Sequence, residues 1–171
     1  SLQARGDGHA FAWTDTTNYK QGRWYQLTPD GAAPAARMGH AAVEMLDTLI
    51  VMGGADPVAS PPVKYADVHV LSLTTSTWIT PVVVGSRAPP GRDGHSVLKV
   101  GSTVYVFGGL SSAGERLNDL WSFNAYATVA GQLEWDQPTA MSQVPATRWG
   151  HAGLSPAFAG ASLLAAASPP S

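Results

Sequence analysis

The residues of this sequence best suited to chemistry are three evenly placed arginines and five histidines. Arg37, Arg92 and Arg148 each stand three positions before a histidine, namely His40, His95 and His151, and those histidines lie 55 and 56 residues apart; His9 and His69 are the other two. Three neutral imidazoles at one level could coordinate a metal ion. A guanidinium can grip a carboxylate with two hydrogen bonds, so the arginines could receive an acidic peptide or a terminal carboxylate. The regular spacing favours a plainer role. A side chain that recurs with the architecture usually satisfies local backbone groups or ties one unit to the next, so no metal, cofactor or catalytic residue is expected.

The recurrence is wider than these residues. Pro34-x-x-Arg37-x-Gly39-His40 returns as Pro89-x-x-Arg92-x-Gly94-His95 and as Pro145-x-x-Arg148-x-Gly150-His151. A motif repeated at nearly fixed spacing marks an array of one supersecondary unit. Thirteen residues after His40 comes Gly53-Gly54, and thirteen after His95 comes Gly108-Gly109. Each pair closes a short apolar run, Thr48–Met52 and Thr103–Phe107, which reads as a strand covered on both faces. Asp67 and Asp119 then lead further strands, and Trp78 and Trp135 open a fourth. The unit is therefore four strands: a from Gly-His, b up to Gly-Gly, c after Asp and d from Trp. Four short strands in about 50 residues is a propeller-blade pattern.

This phasing divides the chain into four parts. Residues 1–30 hold strands c and d of a preceding unit, with Asp7 in the place of Asp119 and Trp24 in the place of Trp135. Residues 34–84 and 89–138 are complete units. Residues 145–171 hold strands a and b of a degenerate unit, with Ser162–Ala167 as strand b, and a tail. His9 and His69 then share a strand-c position with Trp121, which points to packing. Treating Arg5-Gly-Asp-Gly-His9 as another opening motif leaves only 31 residues to His40 and no room for strands b and c. About three blade equivalents are fewer than the 4–8 blades of closed propellers. The expectation is thus a segment of a longer polypeptide, or two chains that complete each other.

Composition narrows the function classes. Only 13% of residues are charged, the formal net charge is −2, and lysine occurs only at Lys20, Lys64 and Lys99. That is no footprint for tracking nucleic-acid phosphates. Cysteine is absent, which excludes disulfides, thiolate zinc sites and a cysteine nucleophile within the sequence. No apolar run approaches the roughly 20 residues of a membrane-spanning helix. A cytoplasmic setting is expected, with a cytoskeletal or ciliary assembly among the candidates.

The motif set resembles the Kelch-repeat family in its long-period form, Pro-x-x-Arg-x-Gly-His, apolar run-Gly-Gly, Asp, Trp. The likeness covers residues 7–167, most closely 34–135. It implies an all-β fold: part of a Kelch-type β-propeller with four-stranded antiparallel blades, strand a nearest the axis and strand d at the rim. It also implies that Gly39, His40, Gly53, Gly54, Asp67, Trp78, Gly94, His95, Gly108, Gly109, Asp119, Trp135, Gly150 and His151 are repeat positions of the architecture. Galactose-oxidase-like relatives need a tyrosine cross-linked to cysteine, which this sequence lacks. The Glu-x-x-x-Asp-x-x-x-His loop of iron-dependent specifier proteins is matched only as far as Glu115 and Asp119, with Phe123 in the third place.

The expected function is a non-catalytic platform for protein–protein interaction, a scaffold or a peptide-recognition module for a ubiquitin ligase. The other class is the propeller domain of an enzyme, an oxidase or a Kelch-linked phosphatase. Function should lie on loops at one face. The b–c loops differ most between units: 55–66 is long and proline-rich, 110–118 shorter and polar. Tyr65, Arg116 and Trp149 are the expected anchors there, beside Arg37, Arg92 and Arg148, since aromatic and Arg side chains dominate interfaces. The partners would be other proteins and the remaining blades.

Overall fold

The computed structural model describes residues 2–4, 9–13, 22–139 and 145–151. Its strands are β1 (Leu2–Ala4), β2 (His9–Trp13), β3 (Gly22–Gln26), β4 (Asp30–Gly31), β5 (Ala41–Met45), β6 (Thr48–Met52), β7 (Val68–Ser72), β8 (Thr77–Ile79), β9 (Val82–Val84), β10 (Arg92–Asp93), β11 (Ser96–Val100), β12 (Thr103–Ser111), β13 (Arg116–Asn124) and β14 (Gln132–Glu134). One short helix, α1 (Ala125–Val129), interrupts them before β14. None of the described helices is long and apolar enough to cross a membrane. Asp7 and the strand expected over Ser162–Ala167 lie outside the described residues.

The strands form antiparallel meanders. β5, β6, β7 and β8 pair in chain order; β11, β12 and β13 do the same, as do β1, β2 and β3. Residues 1–30 thus carry β1 beside the two strands that the sequence led us to expect, and β4 begins at Asp30. The a–b connections of the two complete units are tight, whereas β6 and β7 are joined by the long segment 53–67. β5 and β6 are joined by Leu46-Asp47 and β11 and β12 by Gly101-Ser102, each with the first turn residue at positive φ, 54° for Leu46 and 60° for Gly101. Such turns match the twist of paired strands.

Three expectations need correcting. Strand b of the second complete unit does not stop at Gly108-Gly109; β12 runs on to Ser111 through a bulge between Phe107 and Gly109. Most of 110–118 is therefore strand, closed by a turn in which Gly114 N donates to Ser111 O at 3.0 Å. Trp135 does not open a strand either. It follows β14, and the expected strand d is reduced to a single bridge between Ser122 and Asp136. The connection from c to d is instead occupied by α1, capped by Asn124, whose Oδ1 accepts from Ala127 N at 3.1 Å.

Neighbouring sheets are joined at three levels. Innermost, Gly94 N donates to Gly39 O at 2.8 Å and Gly150 N to Gly94 O at 2.7 Å, so the motif glycines form a chain of peptide bonds from sheet to sheet. Further out, Gly54 N donates to Arg92 O and Gly109 N to Arg148 O, while the arginine amides donate back to Tyr65 O and Leu117 O. At the rim the chain leaving one unit pairs in parallel with the next: β4 with β8, and β9 with β14. The apolar core fills the seam between the two complete units. Ile50, Met52, Val68 and Val70 from the first face Val104, Val106, Trp121, Phe123 and Trp135 from the second.

Candidate functional site

The motif arginines are engaged within their own sheets. Arg37 directs Nη1 and Nη2 at the two carboxylate oxygens of Asp67, at 2.6 and 2.9 Å, and Arg92 does the same to Asp119 at 2.7 Å for each. Nη1 also donates to the carbonyl of the first glycine of the pair, Gly53 or Gly108, at 2.9 Å, and Nε to the carbonyl two residues back, Ala35 or Pro90. Four of the five guanidinium N–H donors are thereby used. The side chains are 4% and 3% exposed. The side chains of Arg37 and Arg92 tie the lead-in of strand a to the end of b and the start of c in one sheet, while the main chain of Arg92 and Arg148 makes the bonds to the preceding unit. Neither fork can take a partner's carboxylate without releasing its aspartate. Arg148 repeats the Nε contact, to Ala146 O at 3.0 Å; the place of its own unit's aspartate lies outside the described residues.

The aspartates are shared with strand c. His69 Nε2 lies 2.9 Å from Asp67 Oδ2, and Trp121 Nε1 donates to Asp119 Oδ2 at 2.7 Å. The common position of His69 and Trp121 is thus a hydrogen-bonding one, which the packing account missed: both rings bring a nitrogen to the same carboxylate. Each ring also meets the strand-d tryptophan edge to face, His69 with Trp78 at 6.4 Å and Trp121 with Trp135 at 6.3 Å. Burial alone would raise the Asp67 and Asp119 carboxyls, but these hydrogen bonds and the guanidinium charges hold both below the usual carboxylate range.

His95 and His151 pack against the glycine pairs of the preceding unit, while His40 lies beside Gly54 of its own. A Cβ on Gly53 would stand 2.7 Å from His95 Cε1 and 2.8 Å from Arg92 O; one on Gly108 would stand 3.1 Å from His151 Cε1 and 2.8 Å from Arg148 O. Both glycines have φ near +60°, so close approach and backbone conformation each call for glycine. Burial first, then the charge of Arg37 or Arg148, pushes His40 and His151 below the ordinary histidine pKa. No group of three or more His, Asp or Glu among the described residues could hold a metal ion.

The other expected anchors gather at one end of the sheets. Met38 and Ala55 form a bridge, and Arg148 N donates to Leu117 O at 3.1 Å, so the lead-ins of strand a lie beside the b–c connections. Tyr65 is half-buried beneath Arg37, whose guanidinium carbon is 4.3 Å from the ring centroid. Arg116 is exposed at the start of β13. Trp149 is 51% exposed and covers Gly94. Around them the loop 55–66 exposes Val58 at 87% and Val63 at 49%, and Met38 is 56% exposed. Sequence reasoning missed one buried contact: Lys64 Nζ reaches Asp93 Oδ1 at 2.6 Å and bonds the 55–66 loop to the next unit. Its only trace was the scarcity of lysine.

Antiparallel meanders, stitched to one another by backbone hydrogen bonds and carrying the same arginine–aspartate clasp in successive units, define a partial β-propeller of Kelch-type repeats. The chain belongs to the Kelch-repeat family: the model of the KLHDC2/KLHL20/DRC7 Kelch-repeats domain matches residues 4–158. Domains of this family are generally protein–protein interaction modules and usually non-catalytic. Among curated proteins it is 34% identical to Kelch domain-containing protein 3 of Bos taurus over 122 residues, covering 66% of this chain and 30% of that one. It is 30% identical to Host cell factor 2 of Homo sapiens over 121 residues, covering 71% and 14%. It is 35% identical to tRNA wybutosine-synthesizing protein 2/3/4 of Arabidopsis thaliana over 114 residues, covering 66% and 10%. The chain therefore spans less than a third of the length of each of these relatives.

Proposed function

We propose that the chain is part of a non-catalytic platform whose protein partner docks across the end of the sheets that carries the 55–66 loop, the turn at 111–116 and Trp149. One contrast carries this reading. The repeated arginine and aspartate side chains of the two complete units are engaged with each other within the fold, whereas this end exposes Val58, Val63, Met38, Arg116 and Trp149. Exposed aromatic, arginine and apolar side chains beside a rigid scaffold are what an interface uses. Recognition of a peptide tail, as in recruitment to a ubiquitin ligase, and stable docking in a larger assembly both fit such a surface.

The test is a photo-crosslinking amino acid placed in turn at positions 58, 149 and, as the rim control, 82. Discrete protein adducts at 58 and 149 that are lost on Val63→Asp, with none at 82, are expected. Adducts confined to 82 would contradict the proposal. A second reading is supported by the likeness to tRNA wybutosine-synthesizing protein 2/3/4: the platform would be one domain of an enzyme whose reacting residues lie elsewhere. Stoichiometric copper or iron in the purified protein would favour it.

A further inference from the structure

The seam between the sheet of β5–β8 and that of β11–β13 differs from the seam that follows it in one polar group. His95 lies in the first seam, 6% exposed and packed on Gly53, and neither of its ring nitrogens has a hydrogen-bond partner. His151 takes the same place over Gly108 in the second seam, but its Nε2 is 2.8 Å from Ser96 Oγ. Ser96 directly follows His95. The residue directly following His40 is Ala41, which has no hydroxyl. A serine-to-alanine difference between repeats thus leaves one buried imidazole without the partner its counterpart has.

An imidazolium carries two N–H donors, and buried donors without acceptors are costly. The surroundings of His95 add to that cost. Arg92 on β10 and the imidazoles of His40 and His151 on either side oppose a positive charge. Asp93 favours one, but it is already held by Lys64 from the 55–66 loop. Burial above all, then Arg92, lowers the His95 pKa from 6.5 to about 4. Opening the seam would admit water to the ring and remove these penalties. We propose that this seam is an acid-sensitive joint, opened by proton uptake at His95, and that Ser96 braces the next seam against the same event.

The sign follows from linkage. The opened form takes the proton at an ordinary histidine pKa, the closed form only near 4. The opening constant is therefore flat above pH 6.5 and rises about tenfold per pH unit as the pH falls towards 4. Amide hydrogen exchange, corrected for its intrinsic pH dependence, reads this directly. The amides of Gly54 and Gly94 cross the first seam, and those of Gly109 and Gly150 cross the second. Between pH 6.5 and 4.5, Gly54 and Gly94 should lose protection about tenfold per pH unit, ahead of Ile50 within its sheet and of Gly109 and Gly150. Ala41→Ser, which gives His95 the hydroxyl that His151 has, should restore protection at Gly54 and Gly94 only. Equal loss at both seams, or no effect of Ala41→Ser, would overturn the proposal.

Discussion

Arg92 holds Asp119 with both arms of its guanidinium, 2.7 Å to each carboxylate oxygen, and the same carboxylate accepts Trp121 Nε1 at 2.7 Å. Arg37, Asp67 and His69 repeat the arrangement one unit earlier. The repetition explains why arginine recurs at a position where lysine would carry the same charge. The fork meets two carboxylate oxygens and a glycine carbonyl together, which a single ammonium cannot do.

Arg92→Lys is accordingly expected to keep the charge and lose the clasp. Urea unfolding at pH 7 should show a loss of about 2 kcal/mol, within the range of hydrogen bonds to charged groups. Retention of full stability would mean that charge alone suffices.

Backbone conformation and close contact can be separated with three glycines. Gly53, Gly108 and Gly101 all have φ near +60°, but a Cβ meets nothing within 4 Å at Gly101 and two groups of the next unit at each of the others. Gly101→Ala should cost about 1–2 kcal/mol, from the left-handed conformation alone. Gly53→Ala and Gly108→Ala should cost more, because they also push the next unit away. Equal losses at all three positions would remove the glycine–histidine contact from the account.

Leu46 offers the reverse experiment. It sits at φ 54° and 60% exposed, in the turn position that Gly101 fills in the other unit. Leu46→Gly should therefore stabilise the chain by up to about 1 kcal/mol, since relief of left-handed strain outweighs the entropy that glycine adds to the unfolded chain. Thermal unfolding checks this.

Much of the sheet pattern was legible before the structure. β6 and the first part of β12 announce themselves as short β-branched and aromatic runs leading to paired glycines, and β7 and the second half of β13 as runs after an aspartate. The partnerships were not legible, because they join residues far apart in sequence. Asp67 reads as a strand leader, and nothing local shows that its carboxylate closes on Arg37, thirty positions earlier. The parallel pairing of β9 with β14 depends on a strand of the neighbouring sheet. Helix α1 is five residues long, too short to leave a helical period. The segment 110–118 is polar and contains Gly114, so it reads as loop; its backbone is satisfied by an extension of β12 and β13 that polar side chains tolerate at the solvent edge. The same distance effect governs the site. Arg116, Tyr65 and Trp149 could be proposed from residue type, but the burial of Arg37 and Arg92 could not be inferred without their aspartates.

The central claim is that the recurring motif residues hold the sheets together while the exposed side chains of the loop end, Val58, Val63 and Arg116, stand free of that task. Equilibrium urea unfolding of two variants tests it most directly: Arg92→Ala, and the triple change Val58→Ser, Val63→Ser and Arg116→Ala. Arg92→Ala leaves the Asp119 carboxylate in the sheet without its guanidinium, and a loss of about 3–5 kcal/mol is predicted. The triple variant alters exposed side chains and should stay within about 0.5 kcal/mol of the parent. A stable Arg92→Ala protein beside a strongly destabilised loop variant would contradict the account.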